Sequence, residues 1–373
     1  MTYFPFLITE HVIDGQYIRE YPRATVSQSA RLKLAIKKYT PIDNTNPQPG
    51  DVTIELYEPL WEDLLAQSHG QGFRIGSIWI ADTANLGASG IINENDLGDD
   101  PSWLDHSRDL LLDMVPCFHY SLSRGAIHGL PDLQLSNLQK RHKRWDPRVL
   151  ERWIQHAYRD LPTVLYPRGD TDDILYLNAS DPPVTLASSK HQEVMQYIRP
   201  NFGVVRLSGQ RKPEKSSSHG ILDQPDVIGP PIKTTPFYRS EPAIAWKLLE
   251  HIRPSVLYIF GERSPISTAY IRTELTQRTG AGIGGNGGID KSKVKESLIA
   301  RSGHQAPLED VRATASSIGE WIGPAVREWK ELEERIAQTW ENQTAKDKLS
   351  VSVEWLPYLE SACRLPALEP SKL

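Results

Sequence analysis

Cysteine is scarce in this chain. Cys117 and Cys363 are the only two in 373 residues. So small a supply excludes a disulfide framework and a cysteine-built metal site. Long apolar runs are lacking as well, and no stretch approaches the roughly 20 residues that cross a bilayer. The opening Met1-Thr2-Tyr3-Phe4-Pro5-Phe6 has no basic region ahead of an apolar core, so no secretory signal is expected. Nor is there an excess of one charge. The formal net charge of −5 argues against a broad nucleic-acid surface. No internal repeat occurs.

What the chain does have is a core and a set of alternating elements. Hydrophobic residues make up 39% of it, enough to build a sizeable interior. Residues 7–13 and 30–40 read as strands. In the second, Leu32, Leu34 and Ile36 alternate with Lys33, Ala35 and Lys37. A short helix is expected from Tyr57 to Leu65. Ile78-Trp79-Ile80-Ala81 lies in a strand over Arg74–Asp82, apolar without a break as a strand covered on both faces would be. A polar loop over Thr83–Asp99 follows, and then a helix with Asp100 as its N-cap and Pro101 at its first position. Val256–Phe260 and Val294–Ala300 read as two further strands. From Val311 to Trp329 apolar residues recur at helical spacing, with Gly323-Pro324 expected to kink or split that helix. This order predicts an α/β fold: one domain over 1–373, with a mostly parallel sheet and flanking helices. A polar, proline-rich insertion of helices and loops occupies about 130–246. Within it, residues 206–235 read as a mobile loop.

The second of these strands leads into the turn Ser302-Gly303-His304. Strand, turn, histidine and final helix is how many α/β-hydrolase chains end, the imidazole there serving as general base. His304 is the candidate base, or else a capping histidine. Such a base needs a serine on a tight strand-to-helix elbow, usually Gly-x-Ser-x-Gly, and no such pentad occurs in the chain. Ser121-Leu122-Ser123-Arg124-Gly125 is a degenerate version in the expected place, which makes Ser123 the candidate nucleophile. Ser218 in Ser216-Ser217-Ser218-His219-Gly220 is a weaker one, and plain loop serine is the alternative for both. Glu262, after the strand 256–260, is the candidate acid, or a surface glutamate. Ser264 stands where many hydrolases place aspartate, and Asp82 reads as structural. Asp105, His106, Arg108 and Asp109 share one helix and read as an ion-pair cluster rather than a metal site. The loop Thr279–Gly288 lacks the Lys-Ser/Thr ending of a phosphate cradle and a strand directly before it, so it reads as a flexible gate near the active site. No cofactor and no metal is expected.

Blocks spread along the chain carry a family likeness. They include Ile18-Arg19-Glu20-Tyr21-Pro22, Leu56-Tyr57-Glu58-Pro59-Leu60-Trp61 and Ile78-Trp79-Ile80-Ala81-Asp82. They continue with Asp100-Pro101-Ser102-Trp103-Leu104-Asp105-His106-Ser107-Arg108-Asp109-Leu110, Trp145-Asp146-Pro147-Arg148-Val149, Tyr258-Ile259-Phe260-Gly261-Glu262-Arg263-Ser264 and Ser302-Gly303-His304. In these the chain resembles the Alternaria peroxisomal α/β-hydrolases of AK-, AF- and ACT-toxin biosynthesis. The resemblance implies hydrolysis or acyl transfer at an ester or thioester, in making the decatrienoic-acid moiety of a host-selective toxin. Two pieces of that pattern are missing. Only Val115–Arg144 lies where strand, elbow, helix and next strand need about twice the length. At Asp51-Val52-Thr53-Ile54-Glu55-Leu56 a strand stub runs directly into the next block, without the loop that helps build an oxyanion hole. Three readings stay open: an active hydrolase with Ser123, His304 and Glu262, a catalytically impaired relative that binds acyl groups or a partner, or two pieces of coding sequence treated as intron. Sequencing the transcript across both places settles the third.

The last residues, Ser371-Lys372-Leu373, spell the carboxy-terminal peroxisomal address, so the import receptor is an expected partner and the peroxisome the expected destination. The remaining expected partner is a small acyl ester or thioester. The oligomeric state is left open by the sequence.

Overall fold

The computed structural model describes residues 4–113 apart from 22, 49–50 and 55–57, then 142–167 apart from 166, then 184–200 and 237–363. Ser123, Ser218, the 206–235 loop and Ser371, Lys372 and Leu373 lie outside the described residues.

The first half of the chain builds a four-stranded sheet. β1 (Phe6–Asp14), β2 (Lys33–Pro41), β3 (Val52–Ile54) and β4 (Ile75–Ala81) lie in the order β1-β2-β4-β3. β2 is antiparallel to both β1 and β4, and β3 runs parallel to β4. The described part of the sheet is therefore mixed. The period of two in β2 does what its sequence requires: Leu34 and Ile36 are buried. Between β3 and β4 the chain forms α1 (Glu58–Ser68), whose Leu60, Trp61 and Leu64 are fully buried. The rings of Trp61 and Tyr39 lie 4.5 Å apart, which seats α1 on β2. The Tyr39 hydroxyl donates to Glu58 at 2.7 Å.

Two local readings are corrected. The loop after β4 contains a helix, α2 (Gly87–Ile92). Its first turn is held by Asp82, whose carboxylate accepts the Ala88 N–H at 2.7 Å. A side chain on Gly87, at φ +55°, would strike that carboxylate. The helix after it, α3, covers Trp103–Asp113 and starts later than its Asp-Pro signal predicts. Asp100 is not its cap, because the buried Arg199 takes the Asp100 carboxylate at 2.8 Å. Ser102 caps instead, accepting the Leu104 N–H at 3.1 Å, while Glu241 accepts the Trp103 N–H at 3.1 Å.

Between α3 and β9 the described elements are α4 (Pro147–His156), the hairpin β5 (Tyr158–Asp160) and β6 (Val184–Leu186), and α5 (Lys190–Tyr197). The short pair β7 (Arg199–Pro200) and β8 (Phe237–Tyr238) and α6 (Glu241–Leu248) complete them. Ionic contacts tie them to the core: Arg199 to Asp100, Arg148 to Asp63, and Arg152 to Glu58.

β9 (Val256–Gly261), α7 (Ala269–Arg278) and β10 (Val294–Ile299) follow, the two strands pairing parallel from Val256↔Val294 to Gly261↔Ile299. After the one-turn α8 (Ala306–Glu309) comes α9 (Val311–Glu341), which runs through Pro324 unsplit. The chain divides into two compact units, Met1–Trp321 and Ile322–Leu373. No helix among the described residues is long and apolar enough to cross a membrane.

Candidate active site

The carboxyl ends of β9 and β10 bring two turns together, and in open α/β sheets this is the edge where ligands bind. The two turns lock by backbone bonds. Glu262 N–H donates to the Ile299 carbonyl at 3.0 Å, and Arg263 N–H to the Ser302 carbonyl at 2.8 Å. Gly261 sits so close to Gly303 that a Cβ there would meet the Gly303 carbonyl oxygen at 1.7 Å. Arg301, a non-glycine residue at φ +61°, turns the chain between β10 and His304. Its N–H donates to the Glu262 carboxylate at 2.7 Å. The Gly303 N–H donates to Glu309 at 2.7 Å, so the short α8 also holds this turn. The residues leading into α4 reach it too: Trp145 Nε1 donates to Gln305 at 3.0 Å, and Asp146 N–H to the Leu308 carbonyl at 2.8 Å.

Within this frame His304 Nδ1 lies 3.3 Å from Ser264 Oγ. Ser264 is buried and in turn accepts from Ser267 Oγ at 3.0 Å. The structure thus brings His304, Ser264 and Ser267 into one chain of hydrogen bonds. Glu262 stands on the same turn with its carboxylate bonded to Arg301. The residue noted in the sequence as occupying an aspartate's place is the one that faces the imidazole. A hydroxyl there can accept from Nδ1–H and so leave Nε2 as the base, but it holds no negative charge against an imidazolium.

On the oxyanion side, residues 55–57 between β3 and α1 lie outside the described residues.

The glycine loop Thr279–Gly288 stands elsewhere than expected. It packs against the residues that lead into β9: Gly280 and Gly282 N–H donate to the Leu249 and Glu250 carbonyls, and Asn286 Nδ2 to the Pro254 carbonyl. It lies at the amino ends of β9 and β10, about 20 Å of strand from His304. A gate over the active site is excluded by that position. The glycines serve a close approach instead: on Gly285 a Cβ would lie 2.4 Å from the Gly280 carbonyl oxygen.

A second polar cluster occupies the carboxyl end of β4. Asp109, fully buried, receives Arg19 Nη1 at 2.7 Å and the Gln16 N–H at 2.8 Å, and Asp105 receives the Glu20 N–H at 2.8 Å. Of the four residues grouped in the sequence, Asp109 forms an ion pair, with Arg19, and Asp105 accepts a backbone N–H; together they fasten residues 16–20 to α3. Arg19, Thr83 and His106 line a cavity of about 20 Å³ there, far below the roughly 300 Å³ that an organic ligand needs. Burial holds His106 below its ordinary value of 6.5, against the opposing pull of Asp109. The unfolded chain therefore takes up this proton before the folded one does, and stability declines as pH falls below 6.5. In His106→Gln the decline between pH 7.5 and 5.5, followed by urea midpoints, is expected to be shallower than in the parent.

No protein-family model matches the chain. Among characterised proteins it is 31% identical to the type I acyl-CoA thioesterase mpaH' of Penicillium brevicompactum, over 95% of each chain, and 30% identical to its counterpart in Penicillium roqueforti, again over 95% of each. This chain belongs to the family of those fungal proteins. Its fold is that of an α/β-hydrolase: the peroxisomal α/β-hydrolase Lpx1 of Saccharomyces cerevisiae superposes with a TM-score of 0.52 over 96% of both chains, at 12% identity. The Alternaria resemblance is also present. The abhydrolase domain-containing protein AFT2-1 of Alternaria alternata is 23% identical over 58% of this chain and 70% of its own. The Penicillium alignment spans 427 positions against the 373 of this chain, so by subtraction at least 54 aligned positions have no counterpart here. The family member described here is a shortened one.

Proposed function

We propose that this chain hydrolyses an acyl thioester in fungal secondary metabolism, with His304 as base and Ser123 as nucleophile. One observation carries the reading: a histidine buttressed on the turn after β10, in a chain related along 95% of its length to acyl-CoA thioesterases. In this scheme Nε2 of His304 takes the Ser123 proton as Oγ attacks the thioester carbonyl. The tetrahedral intermediate collapses as the imidazolium returns that proton to the departing thiolate, and the neutral imidazole then takes a proton from water, which attacks the acyl-serine; Ser123 Oγ regains the proton as the acid leaves. Glu262 is the acid partner read from the sequence, and Ser264 is the side chain set against Nδ1. The sequence carries no oxyanion loop after Asp51-Val52-Thr53-Ile54, so in this reading the oxyanion is served by fewer donors, and each lost donor costs about 10²–10³ in rate. A slow enzyme is the expected result. Fluorophosphonate labelling tests the scheme: the purified chain takes up label and His304→Ala does not. Equal labelling of both removes serine catalysis.

We place the substrate in the acyl class of the Alternaria toxin pathways, an oxygenated decatrienoyl chain, on the strength of that resemblance. The destination we propose is the peroxisome, on the strength of Ser371-Lys372-Leu373. A protein tagged at its amino terminus is expected in puncta, and Leu373→Asp in the cytosol. Puncta that persist in Leu373→Asp count against the address.

A second reading rests on the 54 or more positions without counterpart and on the oxyanion loop missing from the sequence after Ile54. It makes the chain an acyl- or partner-binding relative that turns nothing over. Tight binding of a fatty acyl ligand with no thioester cleavage is its signature.

A further inference from the structure

The link between β9 and α7 is built from successive turns. Ser264 N–H donates to the Gly261 carbonyl at 3.0 Å, and Ser267 N–H to the Ser264 carbonyl at 3.4 Å. The second turn is pinned from α7, where Arg272 Nη1 donates to the Ser267 carbonyl at 2.8 Å. Both hydroxyls on this backbone are enclosed, Ser264 at 7% exposure and Ser267 at 9%. Buried side chains on a pinned backbone have few rotamers open to them. Ser267 Oγ gives its proton to Ser264 Oγ at 3.0 Å, and Ser264 Oγ meets His304 Nδ1 at 3.3 Å.

We propose that Ser264, held by Ser267, is the positioning residue of the His304 imidazole, and that its lack of charge limits the rate of this chain. The proposal rests on the thioesterase reading above. A base at Nε2 needs its other proton on Nδ1. A serine oxygen has a lone pair to accept Nδ1–H, but it also has a proton to donate to a bare Nδ1. It therefore supports both neutral tautomers, and only one of them leaves Nε2 free. A carboxylate only accepts, so it selects that tautomer. The surroundings suit one. In Ser264→Asp one oxygen would meet Nδ1–H and the other the Ser267 hydroxyl, and the longer side chain would shorten a contact that is long for a hydrogen bond at 3.3 Å. The carboxylates on the elements around the turn already hold other groups. Glu262 accepts the Arg301 N–H, Glu309 the Gly303 N–H and Asp310 the Ala313 N–H, and Asp146 is paired with Arg148. Arg263 and Arg301 are the cations of the two turns.

The test is kinetic and spectroscopic, on the full chain with decanoyl-CoA. Ser264→Ala is expected to lower kcat by about tenfold at unchanged KM, the weight of one hydrogen bond, and Ser264→Thr to recover most of the loss. Ser264→Asp is expected to raise the plateau of kcat by about tenfold, because the base is then always in the right tautomer. The base must be neutral and the new charge favours the imidazolium, so the acid limb of that profile moves up by about one pH unit. Ser264→Asn has the same shape without the charge and gives neither change. Nitrogen-15 NMR of the imidazole reads the arrangement without turnover: the parent shows both His304 tautomers, and Ser264→Asp shows Nδ1–H alone. Where the buried charge unfolds Ser264→Asp, the Ser264→Ala and Ser264→Thr pair carries the test. Unchanged kcat and unchanged His304 signals in Ser264→Ala overturn the proposal, as does an equal gain in Ser264→Asn. A parent that cleaves no thioester removes the hydrolysis reading; His304 signals that also stay unmoved in Ser264→Ala then remove the positioning role as well.

Discussion

His304→Ala is expected to lower thioester turnover by about 10²–10⁴-fold, with the fold intact. The magnitude follows from what the imidazole does. A serine hydroxyl is almost wholly protonated at neutral pH, so its attack waits on a neutral base positioned to take the proton. His304 has that position because four separate restraints fix its turn: Gly261 against Gly303, Arg263 on the Ser302 carbonyl, Arg301 on Glu262, and Gly303 on Glu309. None of these runs through the imidazole, so its removal leaves the backbone where it was. Initial rates with decanoyl-CoA, read by free thiol, measure the loss, and a thermal melt checks the fold. A rate unchanged by the substitution assigns the base to another residue.

Gly261→Ala is expected to destabilise the protein by about 3 kcal/mol and to displace the His304 turn. A methyl group there would lie 1.7 Å from the Gly303 carbonyl oxygen and 2.7 Å from that of Ser302. Both obstacles are backbone, so neither can rotate aside as the end of a long side chain would. Relief requires β9 and β10 to part, or the turn after β10 to move outward. The first breaks the ladder from Val256↔Val294 to Gly261↔Ile299, and the second moves His304 off Ser264. Either way both stability and activity fall. Urea unfolding of the variant beside the parent reads the first effect. A parental midpoint means that the two turns are not in contact as described.

The sequence made the strands legible where one face or both were apolar. Leu34 and Ile36 in β2 and Ile78 in β4 are buried as their spacing implies. It made His304 legible because the order strand, turn, histidine, helix survives in one dimension. Other features depend on partners far along the chain. Asp100 looked like a cap until Arg199, 99 residues away, was found to occupy it. The helix Gly87–Ile92 carries two glycines and reads as loop, and its first turn is held from outside by Asp82. Pro324 was expected to kink or split α9, yet the helix runs through it unsplit. The glycine loop was expected at the active site because its composition resembles a ligand cradle. Its place at the opposite end of β9 and β10 follows only from strand direction. Ser264 was noted for its position, but its pairing with His304 and the support of Ser267 are tertiary facts.

The proposal of thioester hydrolysis stands on a nucleophile and a base acting together. Its most direct test is to quench the purified full chain during turnover of decanoyl-CoA and map the acyl adduct by peptide mass spectrometry. The predicted result is a decanoyl ester on the peptide containing Ser123, absent from Ser123→Ala and from His304→Ala. No adduct on any residue, with decanoyl-CoA left uncleaved though bound, would contradict it and leave the shortened chain as a binding protein.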